Sequence, residues 1–231
     1  MSNKVIIDFR TGSQTVKTLS ELGFQIVKTK PLNSLYMQVC GHSDMQLHIT
    51  GESVICQMHT YEYYKKIITE CEVISGQAVL ENKYPYDIAY NVCRLGKYII
   101  SKPEYTDKKI IGYYEKNGFE FINVKQGYAK CNICVVNDES AITSDNGIYN
   151  SLKKRNIDVL KIQEGNIELY DMQGFIGGAS GLLNDSLLAF NGDIKTHPDC
   201  ANITAFCRNA GVDVISLSAG ALQDIGSIFV L

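Results

Sequence analysis

Leu22-Gly23-Phe24-Gln25-Ile26-Val27 decides the fold, because the same kind of join recurs along the chain. It returns as Asn117-Gly118-Phe119-Glu120-Phe121-Ile122, as Asn156-Ile157-Asp158-Val159-Leu160 and as Ala210-Gly211-Val212-Asp213-Val214-Ile215, with a weaker copy in Glu70-Cys71-Glu72-Val73-Ile74. At each join a polar amphipathic stretch gives way at once to an alternating β-branched or aromatic run. Gly and Asn suit such a place because they accept the left-handed conformation in which the last helical carbonyls are capped and the chain turns back as a strand. Four of the five joins carry that residue type, and successive joins lie about 40 to 55 residues apart, the period of a repeated supersecondary unit.

Outward from each join the rest of the unit is legible. Helical periodicity predicts helices over 13–22, 61–69, 106–116, 145–155 and 199–209. Strand pairs precede them, at 45–49 with 53–56, 90–95 with 97–101, and 131–136 with 140–142, joined by turns such as Thr50-Gly51-Glu52 and Asn137-Asp138-Glu139. The fourth pair starts from the Gly-rich run Gly177-Gly178-Ala179-Ser180-Gly181. The fifth places 227–231 beside 5–8, so the two chain ends complete one unit, as in closed repeat rings. The expectation is an α/β fold: one domain over 1–231, a five-fold pseudosymmetric propeller of ββαβ units whose fifth unit is closed by the N- and C-terminal strands.

A chain of 231 residues with 45% hydrophobic content can bury a full core. Its 22 basic and 25 acidic residues are interspersed for a net charge of -3, which leaves no electrostatic footprint for nucleic acid or an anionic membrane. Met1-Ser2-Asn3-Lys4 before the short Val5-Ile6-Ile7 run lacks the apolar core of a signal peptide, and no stretch reaches the length of a membrane span. A cytoplasmic address is expected, and the eight cysteines are read as reduced thiols, mostly packed in the core.

Five ββαβ units, with Gly41-His42-Ser43-Asp44-Met45-Gln46 at the start of a strand, resemble the pentein fold of the guanidino-group-modifying enzymes, in a branch of clostridial type. That superfamily includes arginine deiminase, agmatine deiminase and dimethylarginine dimethylaminohydrolase. The resemblance implies an active site on the pseudo-five-fold axis, where a Cys attacks the guanidinium carbon, a His shuttles protons and carboxylates grip the cation. It makes His42 the acid and base, and Asp44 its orienter or a guanidinium ligand. The family's Cys lies in the last unit after a Gly-Gly pair, whereas this chain ends Gln223-Asp224-Ile225-Gly226-Ser227-Ile228, with Ser227 in that place. Since the family's Cys unit follows its His unit, Cys93 in Tyr90-Asn91-Val92-Cys93 becomes the candidate nucleophile. The similar Cys131-Asn132-Ile133-Cys134 weakens that reading, since the repeat suits a packing preference and a buried structural thiol. Alignment of the units sends Asn91, Lys130, Cys131, Asn132, Ser180, Gln223 and Asp224 toward the axis as well, a polar set that suits a solvated or ligand-filled pocket.

The resulting expectation is a hydrolase, deiminase or amidinotransferase acting on a small guanidine or amidine, with no cofactor and no metal. The alternative is a non-catalytic pentein that binds through a polar axial pocket or surface, as the ribosome anti-association initiation factor does. Other constellations carry less. Cys131-x-x-Cys134 in a strand would face opposite sides and could not chelate one ion. His197-Pro198-Asp199-Cys200 reads as a turn with a helix cap, and the run from Gly174 to Gly181 lacks the Gly-Lys-Ser/Thr of a phosphate loop. The Lys and Tyr residues of 61–66 and 105–116 fall at helical spacing and read as a solvated helix face.

Overall fold

The computed structural model describes residues 3–231; Met1 and Ser2, part of the N-terminal stretch read above for a leader, lie outside the described residues. The chain opens with β1 (Lys4–Ile7), α1 (Ser13–Glu21) and β2 (Gln25–Lys28). Next come α2 (Ser43–Gln46), β3 (Leu47–Ile49), β4 (Ser53–Cys56), α3 (Tyr61–Ile67) and β5 (Glu72–Ser75). A third set is β6 (Cys93–Leu95), β7 (Tyr98–Ser101), α4 (Lys108–Lys116) and β8 (Glu120–Asn123). The fourth is α5 (Ala129–Asn132), β9 (Cys134–Asn137), β10 (Ser140–Thr143), α6 (Asn146–Lys153) and β11 (Asp158–Lys161). A small hairpin, β12 (Glu168–Leu169) and β13 (Met172–Gln173), precedes β14 (Ser180–Asn184), β15 (Leu187–Phe190), α7 (Cys200–Asn209) and β16 (Asp213–Ser216), and β17 (Phe229–Val230) ends the order.

Among the described residues these strands form five three-stranded sheets of one pattern, β17-β1-β2, β3-β4-β5, β6-β7-β8, β9-β10-β11 and β14-β15-β16, besides the hairpin. In every sheet the middle strand runs antiparallel to the first and parallel to the third. A parallel pair needs a crossover, and the helix between middle and third strand supplies it. The chain ends pair antiparallel, Val5 opposite Val230 and Ile6 opposite Phe229. The joins behave as their residues predict: Gly23, Gly118 and Gly211 have φ of +91°, +73° and +78°, and Asn156 has +58°. The weak fifth join, which lacks Gly or Asn, leaves α3 through Ile68 at φ −96° instead.

Five apolar clusters fill the spaces between sheets. Ile6 and Val27 meet Leu47 and Val54; Met45 and Ile55 meet Ile99 and Tyr114; Leu95 and Ile100 meet Ala141 and Val159. Val136 and Ile142 meet Leu188 and Phe190, and Leu183 and Ala189 meet Val5 and Ile7. Each cluster joins two sheets that follow one another, and the last joins the fifth to the first. Full burial of a Leu, Ile or Phe contributes about 1.5 to 3 kcal/mol, so these clusters hold the sheets together. A cavity of about 190 Å³ is lined from the first strand of every sheet: Ile49, Arg94, Val135, Leu182 and Phe229.

Strands expected from 45, 90 and 131 begin later, at Leu47, Cys93 and Cys134. Upstream of those points the chain bonds to itself in short helical turns, as Met45 N–H donates to His42 O and Asn132 N–H to Tyr128 O. The partner strands end at Cys56, Ser101 and Thr143, so little ladder remains to hold an extended segment there. Cys131 therefore sits on a helical turn, not in a strand. No described helix is long and apolar enough to cross a membrane.

Candidate active site

The helical turns put polar side chains where strands would have put a ladder. His42 caps the start of α2 and Asp44 lies in its first turn, both buried. Against them comes the chain after β16, in which Gly226 lies so close to His42 that a Cβ would overlap the His42 side chain. Gly178 makes an equally close approach to the Asp224 carboxylate. Both contacts need glycine, and the Gly-rich run supplies the second.

Asp224 is held from both sides, with Oδ2 accepting from Phe175 N–H and Oδ1 from Gly226 N–H, each at 2.9 Å. Oδ1 also faces His42 Nδ1 at 3.7 Å, beyond hydrogen-bond reach. Burial raises the Asp224 pKa, opposed by the His42 charge and reinforced by Asp44. The carboxylate facing His42 is thus Asp224, while Asp44, expected as the orienter, turns to other partners. Its Oδ2 accepts from Ser227 Oγ at 2.6 Å and from Cys131 Sγ at 3.2 Å.

Ser227 has a left-handed φ of +71°, a conformation that costs a non-glycine residue about 1 kcal/mol or more. Its hydroxyl accepts from Lys130 Nζ at 2.9 Å and donates to Asp44 Oδ2. Asn91 completes the cluster: Oδ1 accepts from the backbone N–H of Lys130 and Cys131 at 2.8 and 3.2 Å, and Nδ2 donates to Cys131 Sγ at 2.9 Å. Burial, with the Asp44 and Asp224 charges, pushes the Cys131 thiol well up, so it rests neutral. Two buried atoms of the cluster, His42 Nδ1 and Asp44 Oδ1, have no hydrogen-bond partner among the described residues. Each such atom costs about 1 to 3 kcal/mol unless something supplies its partner.

Cys131, His42 and Asp224 line one cavity of about 160 Å³. The hairpin hangs over it, anchored where Glu168 N–H donates to Leu222 O and Asp224 N–H to Glu168 O. Across the mouth Gln38 Nε2 donates to Asp171 Oδ1 at 3.1 Å. A second cavity of about 210 Å³ shares His42, Leu169 and Asp224 with the first and adds Asp8, Arg10 and Gln223.

The expected site residues therefore separate. His42, Asp44, Asn91, Lys130 and Asp224 come together. Gln223 is exposed on the rim of the second cavity. Asn132 is buried but bonds only to Tyr128 O at 2.9 Å, and Ser180 lines the cavity shared by the five first strands. Cys93 requires a correction. It is fully buried among Leu95, Ile100, Ile133 and Ala141, lines neither cavity beside His42, and burial pushes its thiol up to about 12. Its strand begins at Cys93 itself and turns the side chain into the apolar layer. Sequence reasoning sent Cys131 toward the axis without giving it the nucleophile's role, and missed the hairpin and the rings of Tyr36, Tyr128 and Phe175 that also line the cavity. The signals were present in Tyr128-Ala129-Lys130-Cys131, an aromatic three positions before the thiol, and in the short alternation Glu168 to Gln173.

Among the described residues no three His, Cys, Asp or Glu side chains converge as a metal-ligand set. No curated protein matches the chain. Solved structures do. Dimethylarginine dimethylaminohydrolase from Pseudomonas aeruginosa, complexed with citrulline, is 10% identical, with a TM-score of 0.57 over 94% of this chain and 92% of that one. Agmatine deiminase from C. jejuni is 9% identical, with a TM-score of 0.55 over 94% and 88%. Inosamine-phosphate amidinotransferase from Streptomyces griseus is 9% identical, with a TM-score of 0.54 over 97% and 93%. At such identities the likeness is one of fold, and the mixed α/β fold is that of the penteins. A family model matches residues 6–229, and the chain belongs to that family, DUF6873, a family of unknown function.

Proposed function

We propose that the five sheets close into a five-fold propeller and that one end of it binds and modifies a small guanidine or amidine. The observation that carries this is the shared cavity: the Cys131 thiol, the His42 imidazole and the Asp224 carboxylate line the same small space. Propeller closure is supported by the circuit of five intersheet clusters and by the cavity to which every first strand contributes. The three enzymes of like fold act, by their names, on guanidino or amidino groups, which supports the substrate class.

The chemistry follows from the groups present. A guanidinium in the cavity sets its positive charge beside Asp224 and lowers the Cys131 pKa that burial and the carboxylates had raised. Cys131 gives its proton to His42, and the thiolate forms the S–C bond at the amidine carbon. The C–N bond to the departing amine then breaks as His42 returns the proton to that nitrogen. Water, or an amine in a transferase, displaces the thiol and restores the enzyme. Asn91 and Ser227 hold Cys131 and Asp44 in place, and Lys130 holds Ser227.

A second reading has one observation in its favour: the Cys131 thiol donates to a buried carboxylate, a bond that keeps it protonated. On that reading the cavity binds the cation without chemistry. Iodoacetamide labelling with peptide mapping, alongside assays for released ammonia or amine across a panel of guanidines, separates the two. Labelling of Cys131 that guanidinium compounds slow, together with product release, supports the enzyme. Protection without product supports the binding protein, and labelling of Cys131 indifferent to every guanidine refutes both.

A further inference from the structure

Resting on the guanidine reading above, we infer that the substrate's amidine or guanidine is joined to an apolar, flat group and carries no carboxylate. The cavity beyond His42 and Asp224 is walled by Tyr36, Tyr128, Leu169, Met172 and Phe175. Tyr128 and Phe175 stack, with centroids 6.4 Å apart and an interplanar angle of 26°. Both are fixed to acids: Tyr128 OH donates to Asp87 Oδ2 at 2.6 Å, and Phe175 N–H donates to Asp224 at 2.9 Å. The aromatic wall thus stands in register with the carboxylate that would hold the cation. A space of about 160 Å³ is close to the roughly 150 Å³ of an apolar cavity known to take up benzene.

Among the described residues neither cavity offers a carboxylate an unpaired Lys or Arg. No Lys or Arg lines the aromatic cavity among the described residues, and in its neighbour Arg10 alone does. Arg10 is engaged: Nε and Nη2 donate to the Asp8 carboxylate at 2.9 and 2.6 Å, Nη1 to Met37 O at 2.6 Å and Nη2 to Gln38 O at 2.9 Å. The Phe9 and Tyr170 rings lie against its guanidinium. An incoming carboxylate would lose its water, find no free cation, and face Asp8, Glu168 and Asp224. Arginine itself is therefore disfavoured, while an arylamidine matches both the charge and the wall.

The test is calorimetric or thermal-shift titration of the intact chain with benzamidine, phenylguanidine, guanidinium chloride and L-arginine, with Cys131 labelling run in parallel. Benzamidine and phenylguanidine are expected to bind at least about tenfold more tightly than arginine, and Phe175→Ala to narrow that ratio severalfold. Arginine binding as tightly as benzamidine and protecting Cys131 overturns this inference and leaves the guanidine reading standing. A ratio unmoved by Phe175→Ala also overturns it. If none of the four compounds binds or protects Cys131, both fall.

Discussion

The chain contains two buried neighbourhoods that each hold one histidine and one cysteine, and they differ in what their polar atoms are left wanting. At the first, His48 Nδ1–H donates to Val92 O at 3.1 Å and Nε2 accepts from Tyr114 OH at 2.6 Å. Burial lowers the His48 pKa to about 3, so the ring is neutral, and Cys93 lies nearby in an aliphatic layer. Both ring nitrogens there are bonded, and although His48 borders the 190 Å³ cavity Cys93 does not. At the second, His42 Nδ1 and Asp44 Oδ1 lack partners, the Cys131 thiol leans on a carboxylate, and a cavity opens alongside. The difference teaches that burial alone does not mark a catalytic thiol or imidazole. An unfinished hydrogen-bond set beside a shared cavity is the feature on which the proposed guanidine site rests.

The sharpest break in that comparison is at the two thiols. On the proposed mechanism Cys131→Ala should reduce turnover of a guanidine substrate by about 100-fold or more, because the proposed attacking atom is gone. Cys93→Ala should keep turnover and lose about 1 to 2 kcal/mol of stability to the cavity it leaves, read by urea denaturation. Equal losses of turnover in both would erase the distinction.

The histidine of the closed site comes next. Its folded pKa of about 3 lies below the ordinary 6.5, so the unfolded chain binds a proton that the folded chain refuses between those values. Stability is fully present above about pH 6.5 and falls as pH drops toward 3, by about 1.4 kcal/mol per pH unit for this group. Denaturation at about pH 7 and about pH 5 should show the wild type losing about 1 to 2 kcal/mol more than His48→Gln does. Parallel losses would mean that His48 is not held neutral.

The smallest effect is on the open site's thiol. Asp44 is a cause of the raised Cys131 pKa, so Asp44→Asn should lower it and speed alkylation near neutral pH by roughly tenfold for each unit gained. An unchanged pH profile of labelling would remove Asp44 from control of the thiol.

The architecture was legible because its signals are local: Gly23, Gly118, Asn156 and Gly211 each declare a helix end by their own backbone needs. The pairing of the chain ends followed from counting units. The site was legible where a residue's neighbours in sequence are its neighbours in space, as with Gly41, His42 and Asp44. It was hidden where partners come from afar. Nothing near Cys131 announces Asp44, and nothing near His42 announces Asp224. Cys93 and Cys131 follow similar residues, and their different surroundings depend on whether the backbone has entered a strand or is still in a helical turn.

The bond between Ser227 and Asp44 spans 183 residues, and beside it β17 seats itself on β1. A chain being synthesised or refolded can build its middle sheets from near contacts, but the thiol's surroundings wait for Ser227 to reach Asp44, and such distant contacts form slowly. Until then Cys131 lacks the completed enclosure and is open to reagents. The site therefore doubles as a clock for closure, and the disappearance of rapid Cys131 alkylation during refolding would time the moment at which the ends meet.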